Sequence, residues 1–367
     1  MLEISGQIMS ADIPVVEVEN GIVKSVNKEL APLFFLRSLD FTAWLESRAI
    51  DSHRTNSRLL KKVLRLTTAR DTDVVLKVHA ATITDNYWFK ESGSTLCYED
   101  VKFKTNIFDK LALYGDPDSF NFEHESTPEL TNIGSYEKCW KISDGKWWLY
   151  KQGSENEKFS ELFISLLGKK MGFNMAHYET DGSYIKSLDF TNSASVNYEP
   201  MHSLVIDDDD YGKNFAVLHE LCPNAARDYV YMIYLDTICA NVDRHTKNYG
   251  VLRDTATGEV LGLAPNFDNN IALISRGYPT KLLSEKHILV SVFKDFILNN
   301  ELSRTYYEEI DQDSITQELL NDLIDKTGFD VDKQKVIDFV LSGVSVIQTL
   351  IPSQEMYIEN DFDISLS

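Results

Sequence analysis

The amino-acid sequence predicts an α+β fold, rich in short strands before residue 200 and mainly helical near its end. Three observations carry the prediction. Asn20-Gly21 and Ser143-Asp144-Gly145 each stand between β-branched or aromatic runs, the pattern of tight hairpins. From Lys286 onward, apolar residues recur at the three- and four-residue spacing of helices. Between these regions a long helical pattern over residues 223–240 runs into a polar stretch, 241–268, with a short hairpin of its own.

Size and composition set the bounds. The chain has 367 residues, 43% apolar and 11% aromatic, enough for two domains or one two-part domain with an extension. Its formal net charge of −21 opposes nucleic-acid binding, which rests mostly on neutralising phosphates. The same charge repels ATP, so a nucleotide site here needs Mg2+ and locally placed cations. The basic clusters Lys61, Lys62, Arg65 and Lys169, Lys170 read as solvated helix faces. No apolar run approaches the ~18 residues of a membrane span, and the segment from Met1 to Gly6 lacks a signal-peptide profile. Cys97, Cys139, Cys222 and Cys239 are scattered without metal-ligand spacing, which reads as reduced thiols in a cytoplasmic protein.

In chain order, residues 1–30 read as a β-hairpin in which Val15, Val16 and Val18 lead into Asn20-Gly21 and Ile22 and Val23 resume. Residues 41–50 and 56–66 read as short helices, the second with Leu59, Leu60, Val63, Leu64 and Leu66 on an apolar side. Strands are expected around 74–79 and 95–103. Asp51, His53 and Arg54 lie close together, but a capped helix start explains them. Residues 115–132, acidic and holding Pro117 and Pro128, read as a linker, leaving residues 1–125 as an α+β extension.

After the linker, strands are expected at 139–142 and 147–151. Just upstream, the turn from Thr131 to Ser135 carries Gly134, and its backbone N–H groups suit phosphate oxygens; Gly-Ser turns are common, so the motif is weak. Lys151 closes the second strand, and Glu161 follows on a helix over 156–171 with Phe159, Leu162, Phe163, Leu166 and Leu167 on one face. A strand lysine followed by a helix glutamate positions nucleotide phosphates, although two solvated charges are the plainer reading of the pair alone. Residues 184–190 read as a strand and 197–205 as an extended segment broken at Glu199-Pro200-Met201. In a two-lobed kinase the interlobe hinge would pass here and offer its backbone to adenine. Asp207 to Asp210 reads as a solvated acidic loop.

The chemistry concentrates in 241–268. Asp243 and Asn248 are five positions apart, and Asp268 follows twenty later. The order helix, polar loop, strand (249–252), turn, strand (260–263) puts all three at the mouth of one hairpin. Phosphoryl transfer asks little covalent work of a protein; it asks for in-line positioning and charge neutralisation. Asp243 suits a base or hydroxyl-orienting group, Asn248 offers a neutral oxygen to Mg2+, and Asp268 supplies an anionic ligand. His245 ranks second, as a loop holder or phosphate contact. Each residue singly has a plain explanation at a helix end or in a loop. Together, behind Lys151 and Glu161, they make a site. Helices over 288–298, from a capping-box signal at Ser314–Gln317, and over 332–350 read as scaffold, and 359–367 as a frayed acidic tail.

The signature Asn241-x-Asp243-x-His245-x-x-Asn248, then Ala264-Pro265-x-x-Asp268, resembles the active-site motif of HipA-type serine/threonine kinases, whose fold is related to the phosphatidylinositol 3/4-kinases. The resemblance covers roughly residue 131 to the C-terminus. It implies a two-lobed protein-kinase-like fold, with a small β-rich N-lobe at 126–200 and a mainly helical C-lobe at 201–367, preceded by the α+β extension. It implies ATP and Mg2+ as cofactors, Asp243 as catalytic base, Asn248 and Asp268 as metal ligands, and Lys151 as the ATP-phosphate lysine. From order along the chain, as in two-lobed kinases generally, Glu161 would pair with the lysine and Glu199 and Met201 would lie at the hinge. By the resemblance, Gly134 and Ser135 would lie in the phosphate loop. Family members can autophosphorylate a serine of that loop, which makes Ser135 the candidate. HipA toxins are often held by a helix-turn-helix antitoxin, so the implied partners are a protein substrate with a Ser/Thr acceptor and such an antitoxin, with no direct nucleic-acid or membrane binding. Arg244 and residues 1–125 depart from the family pattern. The alternative functions are a small-molecule or lipid kinase on the same fold, and a catalytically silent nucleotide-binding module.

Overall fold

The computed structural model describes residues 4–49, 71–104, 128, 138–205 and 210–352. Gly134, Ser135, the helix expected at 56–66, the linker apart from Pro128, Asp207 to Asp209 and the acidic tail lie outside the described residues. The chain divides into two units, both discontinuous: the first comprises 1–153, 177–206 and 250–264, the second 154–176, 207–249 and 265–367.

The first unit holds all the described strands. Strands β1 (Gly6–Ser10), β2 (Ile13–Glu19), β3 (Ile22–Val26) and β4 (Tyr87–Glu91) form an antiparallel sheet in the order β3-β2-β1-β4. The β2–β3 turn has positive φ at both Asn20 (52°) and Gly21 (75°), the backbone that the Asn-Gly pair predicts. One face of the sheet buries Ile8, Val16, Val18 and Phe89 against α1 (Phe34–Arg37) and α2 (Phe41–Ser47), with the Phe41 and Phe89 rings 5.0 Å apart. Asp40 caps α2 by accepting the Ala43 N–H at 3.0 Å. Truncating Phe41, which is 1% exposed, would remove about 3–5 kcal/mol.

Two strand expectations fail in this unit. Residues 71–77 form helix α3 (Asp71–Lys77), and the strand of this region is β4. Val74, Val75 and Val78 are buried while Leu76 and Lys77 are less so, a 3.6-residue rhythm hidden in a run too short to tell from a strand. The segment expected to be a strand at 95–103 instead contains a single turn of helix, α4 (Tyr98–Val101), because the Asp100 carboxylate accepts the Cys97 N–H at 2.9 Å and caps it.

Strands β5 (Lys138–Ser143), β6 (Lys146–Lys151), β7 (Tyr178–Asp181) and β8 (Tyr184–Leu188) make a second antiparallel sheet, ordered β5-β6-β8-β7. The third sheet is β11-β10-β9, built from β9 (Val196–Pro200), β10 (Gly250–Asp254) and β11 (Val260–Leu263). Gly250 has no room for a side chain: a Cβ there would lie 2.2 Å from the Glu199 carbonyl oxygen. The N-terminal region is bonded into these sheets. Phe103 meets Trp147 edge-on at 5.0 Å, Asn86 N–H donates to Asn197 Oδ1 at 2.8 Å, and Tyr198 N–H donates to Thr84 O at 2.9 Å.

The second unit is helical. Its helices are α5 (Glu155–Lys170), α6 (Tyr211–Leu221), α7 (Pro223–Ile238), α8 (Ile288–Leu298), α9 (Glu301–Glu308), α10 (Gln317–Thr327) and α11 (Lys333–Leu350). Helix α5 opens on a Ser154/Glu157 capping box, and α7 opens on Pro223 in its first turn, where the missing N–H costs nothing. Helix α7 packs against α6, α8, α9 and α11, and Ala225, Tyr229, Val230, Ile233, Tyr234, Leu235 and Ile238 are each at most 1% exposed. It is the core of the unit. The start of α10 differs from expectation: Thr316 caps it by accepting the Leu319 N–H at 3.2 Å, while Ser314 belongs to a short 3-10 turn. An isolated parallel bridge joins Met175 to Asn266.

Candidate active site

Most of the predicted polar residues gather in the second unit, where α7 ends. Ala240 turns left-handed (φ 50°), and the Asn241 N–H returns to the Asp236 carbonyl at 2.8 Å. The chain thus leaves the helix as an ordered loop. Asn241 is 1% exposed; its Nδ2 donates to Asp236 Oδ1 at 2.8 Å, and its Oδ1 accepts the Asp243 N–H at 3.2 Å. Asn248 Nδ2 donates to the Asp243 carbonyl at 2.9 Å. Side chains from both sides therefore fix the backbone of Asp243, while the residue itself is exposed.

The Asp243 carboxyl is pushed above the usual aspartate range, first by partial burial and then by the negative charge of Asp268; His245, Arg244 and Arg276 pull the other way. A carboxylate with raised proton affinity in a fixed loop is suited to taking a proton from a hydroxyl. His245 is exposed, and its Nδ1 accepts the Lys247 N–H at 3.2 Å.

Asp268 lies on the segment after β11. Its backbone is left-handed (φ 63°), a conformation that aspartate tolerates better than most residues. The turn is gripped from its N–H side: Glu161 Oε1, on α5, accepts the N–H groups of Asp268 (3.0 Å) and Asn269 (3.2 Å). Two successive backbone donors converge on one carboxylate, as in an anion-binding nest. Glu161, predicted as a phosphate-site glutamate, holds the backbone of the predicted metal ligand Asp268.

Arg244, which the sequence left without a role, binds several of these groups. Arg244 and Asp236 form an ion pair at 2.8 Å with side chains that are each 2% exposed. Arg244 also donates to the carbonyls of Asn248 (2.9 Å) and Phe267 (2.8 Å) and to the side-chain oxygens of Asn266 (2.8 Å) and Asn269 (2.7 Å). Burial acts to lower the pKa of Arg244, but Asp236, Asp268 and Glu161 outweigh it and hold the guanidinium firmly charged. A signal was present: Asp236 falls among the apolar residues of α7, and a carboxylate buried on a core helix requires a partner.

Lys151, Glu199 and Met201 lie in the first unit. Lys151 ends β6, is 7% exposed, and has its ammonium 5.9 Å from the centre of the Tyr178 ring. The Glu199 carboxylate is tied to Arg253 (3.0 Å), the Leu33 N–H (2.6 Å) and Tyr87 Oη (3.1 Å), so its side chain is committed inside the unit. Met201 is fully buried, and its carbonyl accepts the N–H groups of Leu204 and Val205.

The donors at Asn248 and Asp268 fit Mg2+. Donation from Asn248 Nδ2 to Asp243 orients the amide and leaves Oδ1 as its remaining acceptor, a hard neutral oxygen. One such oxygen and one carboxylate match an ion that takes much of its coordination from phosphate and water. Among the described residues, no group of three or more His, Cys, Asp or Glu is arranged to hold a metal by itself, and no helix is long and apolar enough to cross a membrane.

The first unit thus carries three antiparallel sheets with Lys151 at a strand end, and the second is helical with the Asp243–Asn248 loop at the end of α7. Among solved structures, the chain is similar to HipA of Shewanella oneidensis MR-1, from a toxin–antitoxin complex with HipB and operator DNA. The TM-score is 0.56 at 12% identity, covering 95% of this chain and 100% of that one. It is also similar to the proinflammatory kinase CtkA of Helicobacter pylori, with a TM-score of 0.48 at 18% identity, covering 60% of this chain and 95% of that one. No family model and no curated protein matches the sequence. The likeness to HipA shows an α+β fold shared over most of the chain. The likeness to HipA, over 95% of the chain, reaches well into residues 1–125, where the sequence offers no resemblance.

Proposed function

We propose that the chain is an ATP- and Mg2+-dependent kinase of HipA type that phosphorylates a serine or threonine of a protein. One observation supports this best: Asp243 has its N–H and C=O bound by Asn241 and Asn248, while its carboxyl has raised proton affinity beside Asp268. A carboxylate so held orients an acceptor hydroxyl and takes its proton as the oxygen attacks phosphorus.

When bound, Mg·ATP supplies the phosphoryl group and the cation that neutralises it. Asn248 Oδ1 and the Asp268 carboxylate would hold the metal. Lys151 would meet the phosphates, and the backbone at Gly134 and Ser135 would cradle them. The backbone of Glu199 and Met201 would take the base, and His245 would touch the phosphates or the acceptor. Ser135 is the candidate for autophosphorylation. A toxin role with an antitoxin partner draws on the S. oneidensis complex; the helix-turn-helix form of that partner follows the family resemblance of the signature, and the cytoplasm follows the scattered cysteines. At a net charge of −21, DNA contact would fall to such a partner and not to this chain.

Incubation with labelled ATP and Mg2+ should label protein, and mass spectrometry should find phosphate on Ser135. Label that persists undiminished in Asp243→Ala would overturn the reading.

A further inference from the structure

Two segments carry the proposed chemistry. One is the loop 241–248, with the base Asp243 and the ligand Asn248. The other is the turn 266–269, with the ligand Asp268. The β10–β11 hairpin separates them in sequence, and phosphoryl transfer tolerates little error in their placement. One guanidinium spans both. Arg244 donates to the Asn248 carbonyl (2.9 Å) on the first and to the Phe267 carbonyl (2.8 Å), Asn266 Oδ1 (2.8 Å) and Asn269 Oδ1 (2.7 Å) on the second. It is itself fixed to α7 by two bonds to the Asp236 carboxylate, at 2.8 and 2.9 Å.

The contacts on the turn are complementary. Arg244 holds its acceptor side, the Phe267 carbonyl and two asparagine oxygens. Glu161 holds its donor side, the Asp268 and Asn269 N–H groups at 3.0 and 3.2 Å. The left-handed backbone of Asp268 (φ 63°) is thereby fixed from both directions, and its carboxylate is aimed by groups that are not metal ligands. Asn248 is fixed on the same principle, through its carbonyl by Arg244 and through its amide by the Asp243 carbonyl.

We propose that Arg244 is the positioning residue of the metal site, fixing the Asn248 and Asp268 ligands relative to each other and to Asp243. The proposal rests on the kinase reading above. It assigns Arg244 no contact with substrate. A planar fork with five donors is required for this task, and a lysine, with one compact ammonium, cannot reach three segments at once.

The test is Arg244→Lys in the full chain, which keeps a cation beside Asp236. Two quantities are read. One is binding of Mn2+ in the presence of a non-hydrolysable ATP analogue, followed by electron paramagnetic resonance. The other is the Mg2+ dependence of phosphoryl transfer. Loss of such an outer contact should weaken metal affinity by about 10- to 100-fold and raise half-saturating Mg2+ in step. The KM for ATP at saturating metal should move much less. A merely structural role would lower the melting temperature and the active fraction without shifting metal affinity.

If Arg244→Lys does not fold, Asn266→Ala removes one acceptor on the turn and leaves the ion pair intact; half-saturating Mg2+ should then rise by several-fold. Metal affinity unchanged in the folded variant overturns the positioning role and leaves the kinase reading standing. A wild-type protein that binds no metal–nucleotide and transfers no phosphate overturns both.

Discussion

Two arginines nine positions apart are built alike and used differently. Arg244, in the second unit, is paired with Asp236, and Arg253, in the first, with Glu199; all four side chains are at most 4% exposed. Each guanidinium also donates to main-chain carbonyls. Those of Arg244 belong to Asn248 and Phe267, beside the proposed metal ligands. Those of Arg253 belong to Glu29, Ala31 and Gly258, and none lies in the proposed site. A buried ion pair is not in itself a strong source of stability, but breaking one by removing a single partner is severe. The carbonyls that the guanidinium reaches decide what is lost with it. The Arg244 pair holds the two segments of the proposed site; the Arg253 pair fastens the N-terminal region to β9 and β10.

The contrast sets the predictions. The largest effect is on catalysis. Asp243→Ala should lower phosphoryl transfer by about 10²- to 10⁴-fold, as expected for loss of a general base. Its melting temperature should hardly change, because the exposed carboxylate makes none of the loop's hydrogen bonds. A large fall in thermal stability would mean that Asp243 holds structure as well.

The next effect is on stability alone. Arg253→Met leaves the Glu199 carboxylate buried without its cation, at a cost of about 3–5 kcal/mol in denaturant unfolding. The folded fraction should keep the wild-type Mg2+ dependence. The double variant Arg253→Met, Glu199→Met should recover much of the loss, since removing both charges spares the cost of an orphan. Failure of the double variant to recover would mean that the bonds to Ala31 and Leu33, and not the charge pair, fasten the region.

A smaller effect is expected at Asn197→Ala, which removes the acceptor for the Asn86 N–H, a bond of 2.8 Å between buried groups. The stability loss should be about 1–3 kcal/mol, again without change in metal dependence.

The sequence disclosed some of this and hid the rest for physical reasons. Turns were legible because their chemistry is local: Asn20-Gly21 and Asp144-Gly145 adopt the positive φ values that their composition favours. Long helices such as α5, α7 and α11 were legible from periodicity. Helix α3 was not, since seven residues with a valine pair satisfy either period. The residues of 241–268 stood out because their types and spacing recur in phosphoryl-transfer sites, and the folded chain brings Asp243 and Asp268 close enough to interact. Arg244 was not, because its role depends on Asp236, Asn266, Phe267 and Asn269, which only the folded chain brings to it. The commitment of Glu199 to Arg253 was hidden likewise, since a hinge reading looks only along the strand.

The pH dependence distinguishes the two regions most finely. Asp243 has a folded-state pKa raised above its ordinary value by burial and by Asp268. A raised carboxyl pKa means that the fold binds that proton more tightly than the unfolded chain does. Its contribution to stability is therefore complete below the unfolded pKa and is lost as pH rises through the folded one. At neutral pH the ionised Asp243 is thus mildly destabilising. Asp243→Asn should melt slightly higher than wild type near pH 7, and the gap should close in acid below the ordinary aspartate pKa. Activity runs the other way, because the base acts only when ionised: the acid limb of the rate profile should fall at a pH above the ordinary aspartate value. Melting curves and rate profiles should then locate the same titration from opposite sides. Replacing Asp268 by Asn, under conditions where transfer is still measurable, should move the acid limb down toward the ordinary aspartate range while burial keeps part of the shift; a limb that moves up instead would mean that the titrating group is not Asp243.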